Sequence, residues 1–118
     1  MAGPGRLTTH VLDTTHGRPA AGMRLELLMA HGDHTHHLLD SYTNADGRLD
    51  RPLLDGDQFH PGTFELVFHV GQYFERLDTP IANPFLDLVP IRFMISEIAH
   101  YHVPLLVTPY SYSTYRGS

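Results

Sequence analysis

Two histidines stand where β-strand alternation turns them to one side of a sheet. In residues 101–107 the aliphatic series Val103, Leu105 and Val107 should face a core, which leaves His102, Pro104 and Leu106 on the opposite face. In residues 7–12 the same reasoning sends Leu7, Thr9 and Val11 inward and Thr8, His10 and Leu12 outward. One of the two registers open to the last segment adds Ser113 and Tyr115 to that outer face. An outward histidine is ordinarily solvated or interfacial, and parity alone does not make an enzyme. Two imidazoles on one partly apolar face are a stronger signal, because burial and neighbours can tune such a group to general-base work near neutrality.

The remaining composition narrows the chemistry. All eight basic residues are arginine, so Schiff-base chemistry is closed and fixed guanidinium charges suit planar, anionic or carbonyl-bearing ligands. The absence of cysteine removes disulfides, thiolate metal sites and cysteine nucleophiles. A net charge of −5 without any basic run argues against nucleic acid as a partner. No apolar run approaches the roughly 20 residues of a membrane helix and no secretory leader pattern opens the chain, so a cytoplasmic protein without membrane contact is expected. Four further histidines, His31, His34, His36 and His37, crowd into seven positions. Imidazole is a common metal ligand, but in an expected loop with no carboxylate pair beyond Asp33 the economical reading is adventitious surface binding.

The elements that must position these residues are short and extended. Residues 7–12, 23–30, 38–43, 63–70, 91–98, 101–107 and 111–116 read as strands, with polar loops at 13–19 and 31–37. Asn44-Ala45-Asp46-Gly47 marks a tight turn from which Arg48 departs in a defined direction. Residues 72–77 form the one short helix expected. Seven or eight strands in a chain of 118 residues imply one domain over residues 1–118, an all-β, two-sheet antiparallel sandwich. The outer face that carries His10, Leu12, His102, Pro104 and Leu106 is too apolar to meet bulk water and calls for a covering subunit.

Three segments together resemble the transthyretin-like family, in particular its hydroxyisourate hydrolase branch. They are Leu7-Thr8-Thr9-His10-Val11-Leu12-Asp13 followed by Gly17-Arg18-Pro19-Ala20, then Thr43-Asn44-Ala45-Asp46-Gly47-Arg48, and finally Tyr101-His102-Val103-Pro104-Leu105-Leu106-Val107 with Ser111-Tyr112-Ser113-Thr114. The Tyr115-Arg116-Gly117-Ser118 close resembles the hydrolases and not the hormone carriers. The resemblance implies two four-stranded sheets and a homotetramer with sites at the dimer–dimer interface. It also implies hydrolysis of 5-hydroxyisourate, the first product of urate oxidation, without metal or organic cofactor. By the same resemblance His10, Arg48, His102 and Ser118 are catalytic, and His10, Arg48, Tyr115 and Arg116 contact the substrate. The alternative is a non-catalytic carrier with an apolar channel for a small hydrophobic ligand.

Overall fold

A computed structural model describes residues 5–79 and 81–117. Its strands run in the order β1 (Arg6–Asp13), β2 (Arg18–Pro19), β3 (Arg24–His31), β4 (His34–Tyr42), β5 (Leu54–Asp55) and β6 (Gly62–His69). A single α-helix, α1 (Val70–Glu75), precedes β7 (Leu88–Ile95), β8 (His100–Val107) and β9 (Tyr112–Thr114). One sheet has the order β2-β1-β8-β9 with β5 on β1, and the other has the order β4-β3-β6-β7. The expected sandwich of two sheets with one short helix is present. It departs from two four-stranded antiparallel sheets in one of them, where β5 adds a fifth strand on β1 and where β1 and β8 pair in parallel, placing Thr8 beside His102 and His10 beside Pro104.

Period-2 burial builds the core between the sheets. Along β1, Leu7, Thr9, Val11 and Asp13 are buried while Thr8, His10 and Leu12 are half-exposed. Along β8, Val103, Leu105 and Val107 are buried and His102 and Leu106 are half-exposed, as parity requires, although Pro104 is also buried. Phe64, Phe68 and Phe74 from the other layer are fully buried, and each contributes about 1.5–3 kcal/mol relative to an exposed ring. The one buried carboxylate in this layer, Asp13, accepts bonds from the His16 backbone N–H and ring Nδ1 and from the Tyr73 hydroxyl, which locks the end of β1 to α1.

Several boundaries differ from the sequence expectation. The loop expected at 31–37 shrinks to the two-residue turn Gly32–Asp33, and His34 to His37 belong to β4. Gly32 takes φ 58° at the first central position, which lets a hairpin close in two residues. The helix starts at Val70, whose buried apolar side chain continues the strand pattern of β6 and masks the change of period. On the other side, β7 begins before Pro90; the proline is accommodated because β7 is an edge strand. Finally, β9 ends at Thr114, short of Tyr115.

Candidate active site

Parallel pairing of β1 and β8 determines the centre of the site. Thr8 Oγ1 lies 2.8 Å from His102 Nδ1 and 2.8 Å from His100 Nε2, a three-residue cluster on the outer face of the sheet. His10 follows Thr8 on the same face. Arg48 arrives from the turn beside β1. Asn44 Oδ1 accepts from the backbone N–H groups of Asp46 and Arg48, and Gly47 donates to the Asn44 carbonyl, so the turn is bonded throughout. Val11 N–H then donates to Gly47 O at 2.8 Å, and His10 and Arg48 face each other as an isolated antiparallel bridge. Gly47 is required twice over: its φ is 74°, and a Cβ there would lie 2.4 Å from the Val11 carbonyl oxygen.

A cleft of about 360 Å³ opens over this cluster, lined by Arg6, Thr8, Arg48, Arg51, His100 and His102 together with the 49–52 segment. Three of the eight arginines of an acidic chain thus converge on one cleft. None of the three makes an ion pair with a carboxylate among the described residues. Asp50, the one acid lining the cleft, accepts a bond from Asn44 Nδ2. The field favours an anionic, carbonyl-rich ligand.

This field also acts on the imidazoles. Burial, then the Arg48 guanidinium, holds His10 below its ordinary value, against smaller opposing effects of Asp46. His102 is lowered by burial, by Arg48 and by the neighbouring His100 and His10. Burial and Arg6 lower His100. These shifts favour the neutral form of each ring, the form able to accept a proton.

The C-terminal tail reaches the same centre from the other side. Gly117 N–H donates to the His102 carbonyl at 2.8 Å, in the register set by Leu105↔Thr114, with Pro104, which has no N–H to donate, at the gap. A Cβ at position 117 would stand 2.6 Å from His102 Cδ2, so only glycine lets the tail lie against the ring. Of the expected site residues, Arg48 and His102 line the cleft and His10 adjoins it. Tyr115 and Arg116 instead line a second cleft with Ile91, Phe93 and Tyr101, where the Arg116 guanidinium stacks 4.1 Å from the Tyr101 ring centroid. Ser118 lies outside the described residues. His100 and Thr8 were not among the expected site residues; His100 shares the parity of His102 but lies one residue before the expected start of the strand.

Fold and site together define a transthyretin-type β-sandwich with a histidine–arginine cleft on the outer face of one sheet. The chain belongs to the HIUase/Transthyretin family, whose model matches residues 7–117. It is 54% identical over 120 residues to 5-hydroxyisourate hydrolase 2 of Rhizobium meliloti, covering 100% of both chains. It is 44% identical over 115 residues to the 5-hydroxyisourate hydrolase of Mus musculus, covering 95% of this chain and 94% of that one. Among solved structures, Klebsiella pneumoniae 5-hydroxyisourate hydrolase is similar with a TM-score of 0.80 and 32% identity, over 97% of this chain and 99% of that one. (S)-allantoin synthase is similar with a TM-score of 0.89 and 45% identity over 98% of this chain; the chain spans 44% of that longer protein. Sea bream transthyretin, at 24% identity and a TM-score of 0.84 over 95% of this chain and 94% of that one, shares the fold.

Proposed function

We propose that this chain hydrolyses 5-hydroxyisourate to 2-oxo-4-hydroxy-4-carboxy-5-ureidoimidazoline, with His102 as the base that activates water. The observation that carries the assignment is the orientation of His102: its Nδ1 is engaged by Thr8, which leaves Nε2 as the acceptor, beside an arginine-lined cleft. For Nε2 to accept, Nδ1 must carry the ring proton and donate to Thr8 Oγ1. The Thr8 hydroxyl proton then goes to His100 Nε2, and a directional chain runs from His102 through Thr8 to His100.

Water loses a proton to His102 Nε2 as its oxygen bonds to a ring carbonyl carbon. Arg48, with a charge already felt by both His10 and His102, stabilises the oxyanion that develops there. Collapse of this intermediate breaks the bond to the adjacent ring nitrogen, which takes the proton back from the imidazolium, and the six-membered ring opens. His10, next to Arg48, contributes to holding the substrate. Arg116, on its Tyr101 ring, anchors the segment that brings Gly117 against His102; by the family resemblance Tyr115 contacts the substrate with it and Ser118 belongs to the catalytic set. The carrier alternative needs an apolar channel, and a cleft lined by Arg6, Arg48, Arg51, His100 and His102 is a poor one.

The site is shared between copies in a homotetramer in this proposal, because the rim residues Arg48, Asp50, Arg51 and His100 are exposed in the single chain. The test generates 5-hydroxyisourate in the cuvette from urate and urate oxidase and follows its ultraviolet absorbance. Accelerated decay is expected with the protein, falling by about 10²–10⁴-fold in His102→Ala and by about 10²–10³-fold in Arg48→Ala. Decay at the spontaneous rate with folded protein would overturn the assignment.

A further inference from the structure

On the outer face of the other sheet, across the core from the cleft, Glu26, His37 and Asp40 bring one ligand atom each within 4.8 Å of one another. We infer that these three side chains form a divalent transition-metal site of the zinc class, independent of the hydrolytic centre.

The local backbone is built to assemble them. His37 and Asp40 are three apart on β4, which in a regular strand would put them on opposite faces. The pairing of β3 with β4 shifts between Leu27↔Leu39 and Leu28↔His37, leaving Leu38 as the extra residue of a bulge. That one residue returns His37 to the face that carries Asp40. Asp40 in turn stands directly opposite Glu26 in the register, and two carboxylates at such a cross-strand pair repel unless a cation lies between them.

Each carboxylate has one oxygen held from outside and the other turned toward His37. Glu26 Oε2 is 2.7 Å from His69 Nε2, while Oε1 is 3.7 Å from His37 Nε2. Asp40 Oδ2 is 3.6 Å from an Arg24 guanidinium nitrogen, while Oδ1 is 2.8 Å from His37 Nε2. His69 and Arg24 thus orient the two acids as outer partners orient metal ligands. A tetrahedral ion with bonds of about 2.0–2.2 Å spaces its ligands about 3.3–3.6 Å apart, between the two separations seen here. The short His37–Asp40 contact is an N–H···O hydrogen bond, and a metal at the centre takes the place of that proton. With one imidazole and two carboxylates the set fits zinc, and a water completes it. The crowded histidines at 31–37 contribute one ligand, His37, and its acidic partners come from within and across the hairpin.

The test adds Zn²⁺ to the full chain and reads two signals: zinc bound per chain at equilibrium dialysis, and the imidazole nitrogen resonances assigned residue by residue, since the cleft histidines are also potential ligands. The expected result is movement of His37 Nε2, loss of one zinc per chain in His37→Ala and in Glu26→Gln, and no loss in His34→Ala. His69→Gln should weaken that zinc about 10–100-fold, as loss of an orienting partner does. A zinc-dependent rise in Tm that His37→Ala abolishes, with the metal-free Tm unchanged, separates a lost ligand from a damaged fold. Equal zinc binding by wild type and His37→Ala, or movement confined to His10, His100 and His102, would overturn the proposal.

Discussion

Thr8 has one hydroxyl proton and two imidazole neighbours, so it can donate to only one of them. Thr8→Val keeps the shape and removes the chain of bonds, leaving His102 free to take either tautomer. With His102 as the proposed base, cationic in the transition state, the lost bond is one to a charged group, worth about 1.5–3 kcal/mol. At least a tenfold fall in kcat with little change in KM is expected, restored by Thr8→Ser; an unchanged kcat would remove Thr8 from the machinery. The pH profile tests the same residues. Because the folded protein holds His10, His100 and His102 below the ordinary 6.5, the acid limb of kcat/KM should fall below that value. Between the lowered folded values and 6.5 the unfolded chain binds more protons than the folded one, so stability also declines as pH drops through that window. Removing the Arg48 charge in Arg48→Met should raise the His10 and His102 midpoints in an NMR titration, and midpoints that stay put would show that burial alone sets them. At this scale the sequence exposed His10 and His102 through parity, and Arg48 through its turn. Thr8 was placed on the right face but its role was hidden, because its partner lies 94 residues away.

The elements were legible wherever one face is buried and the other is not. β1 and β6 alternate strictly, β8 does so except at the buried Pro104, and all three were expected within a residue or two of their observed ends. β4 was half missed: its residues are nearly all exposed, so no burial period marks it, and the Leu38 bulge breaks the little alternation it has. The tail is a similar case, since pairing to β8 resumes at Gly117 only after the gap at Pro104. The 44–47 turn is the element on which the site most depends. Gly47→Ala must hold an L-residue at φ 74° and place a Cβ 2.4 Å from the Val11 oxygen. The left-handed conformation alone costs about 1–2 kcal/mol, and the clash adds to it by prising the turn from β1. A lower urea midpoint is expected together with slower turnover, because the Gly47 carbonyl that accepts from Val11 immediately precedes Arg48. Full activity in a destabilised Gly47→Ala would mean that the bridge to β1 does not position the guanidinium.

At the scale of the whole molecule, the two outer faces of the sandwich have different characters. The β4-β3-β6-β7 face carries the Arg24, Glu26, His37, Asp40 and His69 cluster. The other carries the cleft and, beside it, Leu12 and Leu106, directly paired and half-buried. A general base and an arginine cluster work best with water excluded, where each charge acts at lower dielectric, yet the cleft rim is exposed. A second copy covering this face would bury the leucine pair and close the cleft in one step, which ties assembly to turnover. Leu106→Arg sets a charge into that surface without touching His10, Arg48 or His102, and at four Cα positions from His102 on the same strand it leaves the Thr8 bonds intact. Sedimentation velocity should then show a smaller species than wild type, and hydroxyisourate turnover should fall in proportion to the assembly lost. If Leu106→Arg sediments as the smaller species and still turns over substrate at the wild-type rate, the site is complete within one chain, and the apolar pair serves assembly alone.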